Sequence, residues 1–180
     1  HAAAGGMGLI LCQWAKALGA TTIGTVSTAE KAEVAKAAGC HFPVVRSEKN
    51  FVDVVREVTS DEGCAVVYEA IGKDTLQDSL DSLRPMGVCA AYGHVSGPPE
   101  PVDIIQDLGR RGSLFITRPA IMHYVAKRAD LEWTARDLFQ AIGDGVISAN
   151  INYEYELKDA VQAHKAIESG TTLGASVLIP

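Results

Sequence analysis

The chain has 180 residues, 47% of them hydrophobic and 21% charged, enough to build a sizeable core in one domain or one domain with an appendage. Its formal net charge is −6 and it carries no block of Lys and Arg, which argues against a nucleic-acid groove as the main function. No apolar run approaches the ~20 residues of a membrane-spanning helix.

The chain opens on Ala2-Ala3-Ala4-Gly5-Gly6-Met7-Gly8. Ala3, Gly5 and Gly8 fall at the glycine positions of G-x-G-x-x-G, with alanine in place of the first glycine. Such a turn lets the backbone approach a pyrophosphate and starts a helix whose free N–H groups and positive end face that anion. A side chain at Gly5 would push the phosphate away, and one at Gly8 would crowd the helix against its strand. The same small residues also suit a helix start with no ligand. An amphipathic run follows through Leu9, Ile10, Cys12, Trp14 and Leu18, with Gly19 as its stop. Thr21-Thr22-Ile23-Gly24-Thr25-Val26 then reads as the second strand of a βαβ unit. Only His1 and alanines precede the glycines, so the central first strand is expected to be missing and the chain to be part of a longer polypeptide.

Ser27-Thr28-Ala29-Glu30 reads as a capping box opening a helix over residues 29–38, ended by Gly39. A strand is predicted over 41–45, a helix over 50–59 and a turn at Ser60-Asp61-Glu62-Gly63. Cys64-Ala65-Val66-Val67-Tyr68-Glu69 is a continuous run, as for a parallel strand covered on both faces. A helix over 74–83, a strand over 88–92, a Gly/Pro-rich loop over 93–101, a helix over 102–108 and a strand over 113–117 complete a regular alternation. The fold expected from it is α/β, a doubly wound parallel sheet of Rossmann type lacking its first strand. After Arg118-Pro119 the pattern changes to helices over 130–142 and 157–168, a β-like piece over 146–151 and a last strand over 175–179. This tail has helices without matching parallel strands. It suits packing beside the sheet or onto a further domain, so the division is 1–117 for nucleotide binding and 118–180 for the C-terminal segment. Cys12, Cys40, Cys64 and Cys89 form no C-x-x-C and have no neighbouring His pair, consistent with buried free thiols in a reducing cytoplasm and with no metal site.

An NAD-binding unit ends its second strand in Asp or Glu to hold the ribose 2′-hydroxyl. Here Gly24-Thr25-Val26-Ser27-Thr28 offers no carboxylate, which leaves room for a 2′-phosphate. Ser27 and Thr28 can donate to phosphate oxygens, and Lys31 and Arg46 can add positive charge, unless both are solvated surface charges. NADP is the better fit to the set. The crevice at the strand ends should be lined by Ala70-Ile71-Gly72 and by Tyr92-Gly93-His94-Val95. Tyr92 also suits a core position. His94 suits either a surface site or a proton relay.

With these residues the chain resembles the cofactor domain of the medium-chain dehydrogenase/reductase superfamily, most closely the quinone oxidoreductase (ζ-crystallin-like) branch. The shared stretches include His1-Ala2-Ala3-Ala4-Gly5-Gly6-Met7-Gly8, Gln13-Trp14-Ala15-Lys16-Ala17-Leu18-Gly19-Ala20, Val66-Val67-Tyr68-Glu69, Thr117-Arg118-Pro119 and Leu178-Ile179-Pro180. The resemblance implies NADPH as hydride donor, a quinone or related conjugated carbonyl as acceptor, and no zinc. It puts Gly5, Gly6, Met7 and Gly8 at the pyrophosphate, and Ser27, Thr28, Lys31 and Arg46 at the 2′-phosphate. Ile71, Tyr92, Gly93, His94 and Val95 would follow the ribose and nicotinamide, with Pro119 nearby. It further implies a homodimer through antiparallel pairing of the edge strand Leu114-Phe115-Ile116-Thr117. Arg46 stands where relatives often carry tyrosine, and Met7 where they carry valine. The family's N-terminal catalytic domain is expected to lie outside these residues, and no acid or base is assigned within them. Alternatives are a zinc-free enoyl or alkenal reductase of the same superfamily, or a non-enzymatic NADPH-binding structural (crystallin-like) or RNA-binding protein.

Overall fold

A computed structural model describes residues 1–149, 151–170 and 172–180. Local chemistry sets the start of most elements. Helix α1 (Gly6–Ala17) begins directly after an extended Gly5 and stops before Gly19, which takes the left-handed φ of 75°. Strand β1 (Ile23–Val26) leads to helix α2 (Ala29–Ala37), capped by Thr28, whose hydroxyl accepts from the Lys31 amide at 3.3 Å. This corrects the capping box placed on Ser27. Thr28 is the residue in the extended conformation, and its oxygen reaches the third helical amide.

Strand β2 (Phe42–Val45) pairs in parallel with β1. Helix α3 (Phe51–Thr59) is capped by Asn50, which accepts from the Val52 amide at 2.9 Å. Strands β3 (Cys64–Glu69), β4 (Leu83–Ala91) and β5 (Phe115–Thr117) form a three-stranded parallel sheet in the order β3-β4-β5. Helix α4 (Leu76–Asp81) joins the first two. Between β4 and β5 the helix expected over 102–108 is a π-helical turn, Ile104–Gly109, in which the Arg110 amide donates five residues back to the Ile105 carbonyl at 2.9 Å, and Asp103 caps its start through the Ile105 and Gln106 amides. The short helix α5 (Ile121–Tyr124) was not anticipated. It is followed by α6 (Arg128–Gly143), β6 (Ile151–Glu156), a 3-10 turn (Leu157–Asp159), α7 (Ala160–Glu168) and β7 (Ala175–Ile179).

Two expectations are overturned here. The tail does contain matching parallel strands, since β6 and β7 pair in parallel around α7. Strand β6 is half-exposed and alternates polar and aromatic residues, with Tyr153 and Tyr155 partly buried between exposed Asn152, Glu154 and Glu156. Residues 146–149 of the β-like piece are not strand, and Ile147 instead turns back to bond Ala141. Asn150, also within that piece, lies outside the described residues. The second correction concerns β3. It is parallel, but Val66 and Tyr68 are 43% and 48% exposed, so one face is not covered.

The chain divides into two compact units, residues 2–45 with 136–180, and His1 with 46–135. In the first, small side chains make the core, among them Ala3, Ala4, Cys12, Ala35 and Cys40. Their size brings backbones close together. The interaction between the two thiols lowers the Cys40 pKa and, with burial, raises that of Cys12. In the second unit Leu76, Leu80, Leu83, Cys89 and Leu114 pack between α4 and the sheet. All four cysteines are free thiols, with Cys64 only partly buried. Among the described residues no helix is long and apolar enough to cross a membrane.

The tight core makes Gly24 a sensitive position, because a Cβ there would lie 2.7 Å from both the Ala3 Cβ and the Cys40 Sγ. Gly24→Ala should lower stability by about 1–3 kcal/mol through overpacking, read from urea denaturation midpoints. An unchanged midpoint would contradict the packing described here.

Candidate functional site

The glycine turn sits in the unit of residues 2–45 and 136–180. Ala2 takes a left-handed φ of 54°, and the Gly5 amide closes the turn on the Ala2 carbonyl at 3.0 Å. Gly8 then passes so near this turn that a Cβ on it would stand 2.2 Å from the Ala2 oxygen. No side chain caps α1, and its first turn holds no acidic residue. Its leading amides, those of Met7 and Gly8, therefore present an uncompensated positive end suited to an anion. Gly174 runs alongside, donating to the Ala4 carbonyl at 3.0 Å and forming a parallel bridge to Gly5. In the same unit Ser27 and Thr28 are exposed, and the Lys31 ammonium donates to the Gly170 carbonyl at 2.6 Å.

The other candidates belong to the unit of His1 and residues 46–135. The loops after β3 and β4 are joined by backbone hydrogen bonds: Val95 N to Ala70 O at 3.2 Å, Ser96 N to Ile71 O at 2.8 Å, and Lys73 N to Gly97 O at 3.1 Å. Gly72 has a φ of 92°, and a Cβ on it would meet the Gly97 oxygen at 2.6 Å and the His94 Cα at 2.9 Å. Ile71, Tyr92, Gly93, His94 and Val95 are thereby gathered into one double loop at the carboxyl ends of two parallel strands. Arg118 donates to the Ala91 carbonyl at 2.9 Å and lies 3.4 Å from His94 Nδ1, and Pro119 follows it in the chain. Tyr92 is partly buried, and burial, with the Glu69 charge, raises the pKa of its phenol. Val95 is 84% exposed. Arg46 is exposed and lines a cleft of about 400 Å³ with Lys49, Asn50, Asp74, Thr75 and Asp78.

One residue of this region escaped the sequence reading. Glu69, the last residue of β3, is 1% exposed and its carboxylate is surrounded by donors. Oε1 accepts from the Ile71 amide at 2.6 Å, the Gly72 amide at 3.0 Å and the Thr75 hydroxyl at 2.9 Å. Oε2 accepts from Ser79 at 2.5 Å and lies 3.3 Å from the His1 imidazole. The signal was a single carboxylate closing an otherwise apolar strand, followed by hydroxyls at helical spacing, Thr75 and Ser79. Arg118 was quoted in a motif but given no role. Among the described residues no group of three or more His, Cys, Asp or Glu is placed to hold a metal ion.

Gly8→Ala should disrupt the glycine turn, since the clash is with backbone that cannot move aside. A loss of at least about 1–3 kcal/mol is expected, measured by thermal denaturation. A variant as stable as the parent would mean that the turn is not closed as described.

Comparison with known proteins adds to this geometry. Residues 6–138 match the family model described as zinc-binding dehydrogenase. The chain is 52% identical over 180 residues to a 2-haloacrylate reductase of a Burkholderia species, covering all of this chain and 54% of the relative. A crystal structure of 2-haloacrylate reductase superposes with a TM-score of 0.93 over the whole chain and 56% of that structure. The crystal structure of Escherichia coli quinone oxidoreductase complexed with NADPH superposes with a TM-score of 0.95 at 43% identity, covering all of this chain and 56% of that one. The chain thus spans about half the length of the relatives it matches. It belongs to the zinc-binding dehydrogenase family, in the quinone oxidoreductase branch of the medium-chain dehydrogenases/reductases.

Proposed function

We propose that the chain is the nucleotide-binding portion of an NADPH-dependent oxidoreductase that reduces a quinone or a related conjugated carbonyl. The observation that supports it most is the uncapped glycine turn at α1, whose cradle has no room for a Cβ at Gly8, in a chain alike over its whole length to an NADPH-complexed quinone oxidoreductase. In this proposal the pyrophosphate sits at the turn of Gly5, Gly6, Met7 and Gly8, where Gly5 and Gly6 let the backbone come close and the amides of Met7 and Gly8 donate to it. Ser27, Thr28 and Lys31 receive the 2′-phosphate. Ile71, Tyr92, Gly93, His94, Val95 and Pro119 line the ribose and nicotinamide. The bound cofactor would supply the hydride. The work of these residues is to bind it, orient it and keep water from the transfer. In the same proposal residues 1–117 form the nucleotide-binding part and 118–180 a segment returning towards the catalytic domain. The 52% identity to a 2-haloacrylate reductase favours an alternative acceptor, a conjugated acid reduced at its carbon–carbon double bond.

Titration calorimetry with NADPH and NADH tests the cofactor, and NADPH oxidation by the full-length protein with quinones or 2-haloacrylates tests the acceptor. NADPH should bind at least about tenfold more tightly than NADH, and Lys31→Ala should remove most of that preference, about 1.4 kcal/mol per tenfold. Equal binding of both nucleotides would refute the 2′-phosphate site. Faster turnover with 2-haloacrylates than with quinones would select the alternative acceptor, and turnover of neither would refute both.

We also propose a homodimer through β5. It is an edge strand paired on one side only, and Phe115 on it is 60% exposed. Sedimentation velocity should give a dimer that Phe115→Asp converts to monomer. A monomeric parent would exclude the pairing.

A further inference from the structure

We propose that Glu69 is a positioning residue, holding the double loop in the shape that receives the nicotinamide end of the dinucleotide. This role rests on the nucleotide-binding function proposed above. A carboxylate taken out of water must recover its hydrogen bonds from the protein, and this one does so from two backbone amides and two hydroxyls. The two amides are those of Ile71 and Gly72, so the charge fixes the path of the chain where it reverses from β3 towards α4. Thr75 and Ser79 tie the same carboxylate to α4 and its approach.

The constraint reaches further than its own loop. Ile71 accepts from the Ser96 amide and hydroxyl, both at 2.8 Å, and Gly72 packs directly on the backbone of His94 and Gly97. A shift at Ile71 or Gly72 therefore carries residues 94–97 with it, because each contact is to backbone with no slack. Glutamine at position 69 keeps the length of the side chain but replaces one acceptor oxygen by an NH2 donor. Turned towards Ser79 and Thr75, that group needs both hydroxyls to turn from donating to accepting, and turned towards the two amides it sets donor against donor. In either arrangement the bonds that hold the Ile71 and Gly72 amides lose the charge that strengthens them.

The test uses the full-length protein and two probes, NADPH and adenosine 2′,5′-bisphosphate, which carries the 2′-phosphate but lacks the nicotinamide end. Glu69→Gln should weaken NADPH binding about tenfold or more, as expected for a displaced contact surface, and leave adenosine 2′,5′-bisphosphate within about twofold. Hydrogen exchange should speed up at the Ile71 and Gly72 amides with no ligand present. Thr75→Val removes one donor while keeping the charge, and should show the same selectivity to a smaller degree if Glu69→Gln does not fold. Equal losses for both probes, an unchanged NADPH affinity, or unchanged amide exchange would overturn the positioning role alone. A parent that binds neither probe would overturn the proposed function, and the role of Glu69 in it, together.

Discussion

Burying a carboxylate is costly unless donors replace its water, and the region after β3 is organised by that requirement at Glu69. Two amides, two hydroxyls and the nearby His1 ring converge on it. Meeting the requirement forces a left-handed Gly72, a Thr and a Ser on the α4 side, and a second loop threaded against the first. The chain ends its strand, turns and starts its next helix around one charge. Such a polar cluster is demanding, because any missing donor leaves the carboxylate exposed to the full desolvation cost.

Close approach is the other constraint, and it acts in both units separately. Beside the glycine turn, Gly8 and Gly24 let backbone meet backbone or a small side chain at distances no Cβ would allow. In the other unit Gly93 does the same against Ala70, where a Cβ would lie 2.5 Å from the carbonyl oxygen. The alanine-rich core around Cys12 and Cys40 belongs to the same economy of space. Packing of this kind gains stability from contact density rather than from large apolar side chains.

Much of this was legible in the residues. Gly5 and Gly8 announced a turn before a helix. Thr21 to Val26 marked a strand, and residues 50–59 a helix, because each rests on local chemistry. What failed depends on long-range context. An apolar run such as Cys64 to Glu69 reads the same whether one face or two are covered, so the exposure of Val66 and Tyr68 was invisible. Strand β6 was misplaced because a half-exposed strand with Glu on its open face lacks an apolar run. The cap slipped from Ser27 to Thr28 because adjacent hydroxyls are equivalent until the backbone is known. Of the site, the individual loops were legible from glycine and small residues. Their mutual stitching through Ser96 and Gly97 was not, since it joins residues more than twenty positions apart.

The Lys31 hydrogen bond to Gly170 has a consequence for how that side chain meets a charge. A free lysine samples many rotamers, and fixing it on an incoming ligand costs about 2 kcal/mol of entropy. Here one of the three ammonium protons is already committed to a carbonyl of the same chain. The end of the flexible stem thus has a partner before any encounter, and two protons remain for another acceptor. To the extent that this bond persists, part of the ordering cost of the stem falls on the folded chain and not on the encounter with an anion.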